Sequence, residues 1–267
     1  MDVDGEQPLI LDMGTGLRAL GATLGARLEL DGHPLRATVL LTHLHYDHVL
    51  GLPFFGPMRN PESVLDIYGP SQEASSLHGV LSKMVRPPFF PVNMADFSGD
   101  LRFHDLDGPV ELTAGSIRVE ARSVPHIGHT LGYRIEADGR VLAYIPDHQA
   151  PVGFQTVEDE VLRLCEGADL VIHDSQYTDQ EFTTLSDWGH STGNYAVRVA
   201  QESGARSLCM FHHDPAHSDD EIDQMLEWAQ QLAAGSTGIA GNDRPAGHPA
   251  IDVTAASEGA TVDLGAC

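Results

Sequence analysis

Residues 42–48, Thr-His-Leu-His-Tyr-Asp-His, place His43, His45, Asp47 and His48 in one short stretch directly after the apolar run Ala37–Leu41. Imidazole and carboxylate are the donors that zinc and similar divalent ions take. A polar cluster at the mouth of a buried strand would otherwise lose hydration with no packing gain. A site for two ions needs more donors, and they should lie at other strand ends. Val124-Pro125-His126, Tyr144-Ile145-Pro146-Asp147 and Leu208 to Pro215 each set His or Asp straight after an apolar run. His129 competes with His126, and His213 competes with His212. The register against the strand and Pro215 favours His212.

The elements that must position these residues are legible as short apolar runs alternating with helical patterns. Strands are expected at Leu9–Met13, Ala37–Thr42, Val64–Tyr68, Ile117–Val124, Gly132–Glu136, Val141–Ile145, Leu170–His173, Ser207–Phe211 and Ile251–Thr254. Ala137-Asp138-Gly139 predicts a hairpin between two of them. Helices are expected from Ser71 to about Val85, over Val157–Glu166 behind Thr156, over 192–203, and over Asp219–Ala234 behind the capping box Ser218-x-x-Glu221. Gly235 to Pro249, rich in Gly, Ala and Pro, reads as a surface loop. Two β-rich halves, each followed by helices, predict an α/β chain with sheet-on-sheet packing and helices outside.

Composition bounds the rest. The 267 residues, 42% hydrophobic, suffice for one domain with a substantial core. No apolar stretch reaches membrane-spanning length, and the acidic N-terminus lacks the pattern of a signal peptide. The net charge of -24, with one lysine, disfavours nucleic acid as the main partner. Three cysteines without C-x-x-C spacing argue against a disulfide framework and against a cysteine zinc site, and fit the cytoplasm.

The ordered motifs resemble the metallo-β-lactamase superfamily, and within it the phosphodiesterase branch that includes ribonuclease Z. Leu9-Ile-Leu-Asp-Met-Gly-Thr-Gly is similar to the strand and D-x-G-x-G turn before the metal loop. His126 precedes Gly132-Tyr133-Arg134-Ile135 as in the H-x5-G-Y-x-I arrangement, and Gly189-His190-Ser191-Thr192 is similar to the branch's H-S-T loop. The resemblance implies a four-layer αββα sandwich in a single metallohydrolase domain over residues 1–267. Relatives begin with a strand and glycine-rich loop before the Asp12 strand, so the expectation here is a sandwich without its first strand or strands. The resemblance assigns His43, His45 and His126 to one ion and Asp47, His48 and His212 to the second, with Asp147 bridging. Asp12 and Asp174 would orient these ligands, and His173 would be structural.

Two divalent ions would activate a shared water for attack on an electrophile held across both. The leaving alkoxide then needs a proton, for which the resemblance implies His190; Asp47 would also accept a proton from the attacking water. The ions are expected to be zinc, with manganese or iron also suited to His and Asp donors. Ribonuclease Z enzymes carry a long RNA-gripping arm between the third ligand and the bridging aspartate, whereas the stretch between His126 and Asp147 reads as one hairpin. A small phosphodiester, such as a cyclic nucleotide or cyclic phosphate, is therefore the expected substrate. Met84–Pro91, with Phe89 and Phe90, would wall the pocket. Hydrolysis of a lactone, thioester or amide, and an inactive metal-binding sensor or scaffold, stay open as alternatives. The oligomeric state also stays open, a homodimer included.

Overall fold

The computed structural model describes residues 1–31, 33–72, 74–154, 156–235 and 250–265. The predicted loop Gly235–Pro249 thus lies, past Gly235, outside the described residues. The chain divides into two compact units, Met1–Ser116 and Ile117–Cys267.

The first unit runs β1 (Leu9–Leu11), α1 (Gly16–Asp31), β2 (Arg36–Leu40), α2 (Tyr46–Val49), β3 (Val64–Pro70), α3 (Leu77–Met84), β4 (Asp100–Leu106) and β5 (Val110–Ala114). Strands β1 to β4 lie side by side in chain order, all parallel. Parallel strands share one carboxyl edge, so the residues after β1 and β2, Asp12 and Thr42–His48, emerge together. Val39, Leu41, Leu65 and Ile67 pack against Leu17 and Leu24 of α1 and Leu77 and Leu81 of α3.

Several elements here escape the sequence patterns, α1 and β4 among them. Helix α1 holds three glycines and has little apolar periodicity, so local propensity argues against it and packing of Leu17 and Leu24 supplies it. Strand β4 alternates charged and apolar residues at the sheet edge, where one face and one side meet water. The helix expected from Ser71 begins only at Leu77. Ser76 is its cap, accepting from Gly79 N at 3.2 Å, while the Ser71 hydroxyl goes to Asp107 Oδ1 at 2.5 Å.

The second unit runs β6 (Ile117–Ser123), β7 (Leu131–Ala137), β8 (Arg140–Ile145), α4 (Asp159–Cys165), β9 (Leu170–Asp174), α5 (Asp179–Leu185), α6 (Gly193–Glu202), β10 (Ser207–Phe211), α7 (Asp219–Ala233) and β11 (Asp252–Ala255). Its strands lie in the order β11-β10-β9-β8-β7-β6. Strands β6, β7 and β8 are antiparallel neighbours, and β8 to β11 are parallel. The β7–β8 hairpin turns at Asp138 and Gly139, both at positive φ, as a two-residue hairpin of this twist requires.

This topology gathers chemistry at one edge. Strands β6, β8, β9 and β10 all point the same way, so their carboxyl ends deliver His126, Asp147, Asp174 and His212 to the same rim. Ligands in open α/β sheets bind at that rim. Behind it, Val171, Leu208 and Met210 pack on Val161 and Leu164 of α4 and Tyr195, Ala196 and Val199 of α6.

The predicted capping box at Ser218 is present, and Thr192 caps α6 by accepting from Tyr195 N at 3.2 Å. Helix α4 starts at Asp159 rather than Val157, because Val157 turns into the core. Among the described residues no helix is long and apolar enough to cross a membrane.

Candidate metal centre

In the first unit the metal motif is half extended and half helical. His43 and His45 lie in the extended stretch after β2, where residues two apart face the same side. Their rings lie 4.5 Å apart, centroid to centroid. Asp47 and His48 lie on the turn of α2, with His48 Nε2 3.2 Å from Asp47 Oδ2. One short motif thereby offers two differently directed donor pairs.

Asp12 orients this loop. It is buried, at positive φ, and accepts from Thr42 N at 2.7 Å. The Thr42 hydroxyl donates to the same carboxylate, 2.9 Å from Oδ2, and lies 3.0 Å from His43 Nδ1. His48 Nδ1 lies 2.8 Å from Asp12 Oδ2. A single tautomer assignment satisfies all of these contacts. His43 donates from Nδ1 to Thr42, His48 donates from Nδ1 to Asp12, and both Nε2 atoms carry the lone pair that a metal takes.

Two glycines let the D-x-G-x-G turn close on the loop. A Cβ on Gly14 would sit 2.3 Å from Asp47 O, and one on Gly51 would sit 2.0 Å from Gly14 O. The backbones are laced there by Met13 N to His48 O and Gly51 N to Met13 O, both 2.8 Å.

In the second unit, Asp147 stands between two imidazoles. Its Oδ2 is 3.7 Å from His126 Nε2 and 3.3 Å from His212 Nε2. His126 Nδ1 donates to Gly189 O at 2.6 Å, which again turns Nε2 toward the carboxylate. His212 is held at φ +57, a strained conformation of the kind that clusters at functional sites. Asp147, His190 and His212 bring one donor atom each within 4.8 Å of one another. Of the sequence candidates, His126 and His212 both stand near Asp147.

Asp174, at the end of β9, is the second hub. It accepts from His190 Nδ1 at 2.8 Å, and from the backbone N–H groups of His148 (3.0 Å), Gln176 (3.1 Å) and Ser191 (3.1 Å). Sequence reasoning passed over Gln149. Its side chain ties the His190 loop to the Asp147 loop, donating to Ser186 O at 2.6 Å and accepting from Gly189 N at 2.7 Å. It also passed over His148, wholly buried, with Nδ1 2.9 Å from His173 Nε2. His173 is structural as expected, holding Asp174 O through Nδ1 at 2.7 Å. Burial pushes the pKa of both histidines down, for His148 with a further contribution from His173. No local pattern flags His148, because its partner His173 lies 25 residues away.

Within each unit the donors fit divalent ions. All are His or Asp, and the Nδ1 atoms of His43, His48 and His126 are engaged by oxygen. His and Asp donors at the strand ends of a mixed α/β chain suit a metal-dependent hydrolase. Residues 9–213 match the model of the beta-lactamase superfamily domain. The chain belongs to the metallo-β-lactamase superfamily and is a metal-dependent hydrolase of that fold.

Its relatives include a ribonuclease Z of Brevibacillus brevis, 26% identical over 238 residues, covering 73% of this chain and 74% of that one. Among solved structures it is similar to the metallo-beta-lactamase fold protein YhfI of Bacillus subtilis, with TM-score 0.63, 19% identity and coverage of 94% of this chain and 85% of that one. It is also similar to zinc-bound PqqB of Methylobacterium extorquens, with TM-score 0.61, 21% identity and coverage of 98% and 85%. The ribonuclease name of the first relative does not fit the expectation that nucleic acid is disfavoured. Net charge is summed over the whole surface and leaves local binding of a strand undecided.

Proposed function

We propose that the two units form one metallohydrolase domain holding two divalent ions, zinc in the first instance, and hydrolysing a small phosphodiester such as a cyclic nucleotide or cyclic phosphate. The match of one family model across both units supports the single domain. In this reading His43, His45 and His126 hold one ion, Asp47, His48 and His212 hold the other, and Asp147 bridges. The ions, when bound, supply Lewis acidity and a nucleophile at neutral pH.

The observation that carries the phosphodiester reading is the Asp174–His190 pair beside Asp147 and His212. Asp174 Oδ2 engages His190 Nδ1 at 2.8 Å, which in this reading leaves Nε2 to serve the leaving oxygen. A phosphodiester needs a proton when its alkoxide departs. Asp47, more than half exposed, is in this reading the group that takes a proton from the attacking water. Odd cysteines and no cysteine pairing motif support a cytoplasmic location.

A second reading, cleavage of RNA, is favoured by the relatives named ribonuclease Z. The test is turnover by zinc- or manganese-loaded protein of bis-nitrophenyl phosphate, a cyclic nucleotide, a short RNA and a lactone. The proposal expects the first two to be hydrolysed, and expects His190→Ala to lower kcat by about 100-fold or more with metal content unchanged. Hydrolysis of the lactone alone would overturn it. RNA cleavage without cyclic-nucleotide turnover would replace it with the second reading, and two bound ions with no turnover would favour a sensor.

A further inference from the structure

The loop that carries His190 displays an aromatic residue that no part of the reading above uses. Trp188 is 60% exposed, two residues before His190. Tryptophan gains more than other residues from burial, yet this one stands exposed on a backbone tied down on both sides. Gln149 binds Ser186 O and Gly189 N on either side of it, and His126 Nδ1 donates to Gly189 O. Trp188 N itself donates to Leu185 O at 3.0 Å, and Ala150 N fixes His190 O at 3.1 Å.

The other tryptophan, Trp228, is 54% exposed on α7 and has no such fastening to site residues. Ile127, next to His126 and 53% exposed, lies against the same loop: its Cγ1 is 3.2 Å from where a Cβ of Gly189 would be. An indole and an isoleucine are thus presented by the two segments that carry His190 and His126. Fixing the backbone that carries a flat aromatic lowers the ordering cost of stacking.

We propose that Trp188 is a stacking platform that selects phosphodiesters whose alcohol carries a planar ring system, a nucleoside foremost, with Ile127 as its apolar wall. The inference rests on the phosphodiesterase reading, since His190 and the leaving alcohol must meet at this loop.

The test compares a cyclic nucleotide with glycerol cyclic phosphate, which has no aromatic ring, on the metal-loaded full chain. Trp188→Ala is expected to raise KM for the nucleotide about tenfold, within the range that base–aromatic stacking carries, with little change in kcat. KM for glycerol cyclic phosphate stays unchanged, and Trp188→Phe recovers most of the loss. Equal KM changes for both substrates, or none, would overturn the proposal.

A second readout needs no turnover. The chain has two tryptophans, so adenosine monophosphate should quench fluorescence in Trp228→Phe and not in Trp188→Phe. Quenching that persists in Trp188→Phe, or is missing in Trp228→Phe, would also overturn it. Failure of every phosphodiester to turn over would instead sink the phosphodiesterase reading, while quenching still decides the role of Trp188.

Discussion

Replacing Asp12 by Asn keeps the shape of the side chain and removes one acceptor oxygen. Asp12 Oδ1 meets the Thr42 backbone N–H at 2.7 Å, and Oδ2 meets His48 Nδ1 at 2.8 Å. An asparagine can offer an oxygen to only one of the two. The backbone N–H cannot rotate, so the amide oxygen faces Thr42 and the NH2 group faces His48. His48 then relieves the donor–donor contact by moving its proton to Nε2, which is the atom that should hold metal.

Changes to groups that orient ligands typically cost 10- to 100-fold in metal affinity, about 1.4–2.7 kcal/mol. The loss should fall on the ion assigned to Asp47, His48 and His212. The fold should survive, since the backbone bond to Thr42 is kept. Asp12→Ala, by contrast, strips acceptors from Thr42 N–H, the Thr42 hydroxyl and His48. It should also lower the melting temperature, because each buried donor left unpaired costs about 1–3 kcal/mol. The assay is competition with a zinc chelator on metal-free protein, resolving two affinities, with melting followed by circular dichroism. Two unchanged zinc affinities in Asp12→Asn would refute the orienting role.

Gly189→Ala should weaken metal binding through His126, because the new Cβ would lie 2.7 Å from His126 Nδ1 and the residue sits at φ +96; equal zinc stoichiometry and affinity would contradict this. Burial holds His148 and His173 below the ordinary histidine range, so the unfolded chain binds more protons below about pH 6.5. Their contribution to stability is complete above that value and is lost as pH falls toward their lowered folded values. The melting temperature of metal-free protein should therefore drop between about pH 7 and pH 5, and a flat profile would count against the buried neutral pair. Burial pushes the Cys165 thiol up to about 12, so iodoacetamide at about pH 8 should leave it unlabelled until urea is added. Native labelling at the unfolded rate, seen by peptide mass spectrometry, would disprove its burial.

Much of the architecture was legible because it repeats short-range rules. The strands around 37–42, 64–68, 117–124, 132–136, 141–145, 170–173 and 207–211 announce themselves as apolar β-rich runs, and the Asp138-Gly139 hairpin and the Ser218 box follow from turn and cap chemistry. Helix α1 and strand β4 did not. Each is held by neighbours distant in sequence against weak local preference, and propensity cannot see such packing.

For the site, sequence alone nominated the candidates: His43, His45, Asp47 and His48 by spacing, and the strand-end segments holding His126, Asp147 and His212 by their place after apolar runs. Tertiary structure decided how they are aimed. It set His126 and His212 near Asp147. It also set the tautomers through Asp12, Thr42 and Gly189 O, and joined Asp174 to His190. The physical reason is that a ligand's type is a property of one residue. Its proton, its direction and its partner are set by hydrogen bonds to groups that meet only once the strands have paired.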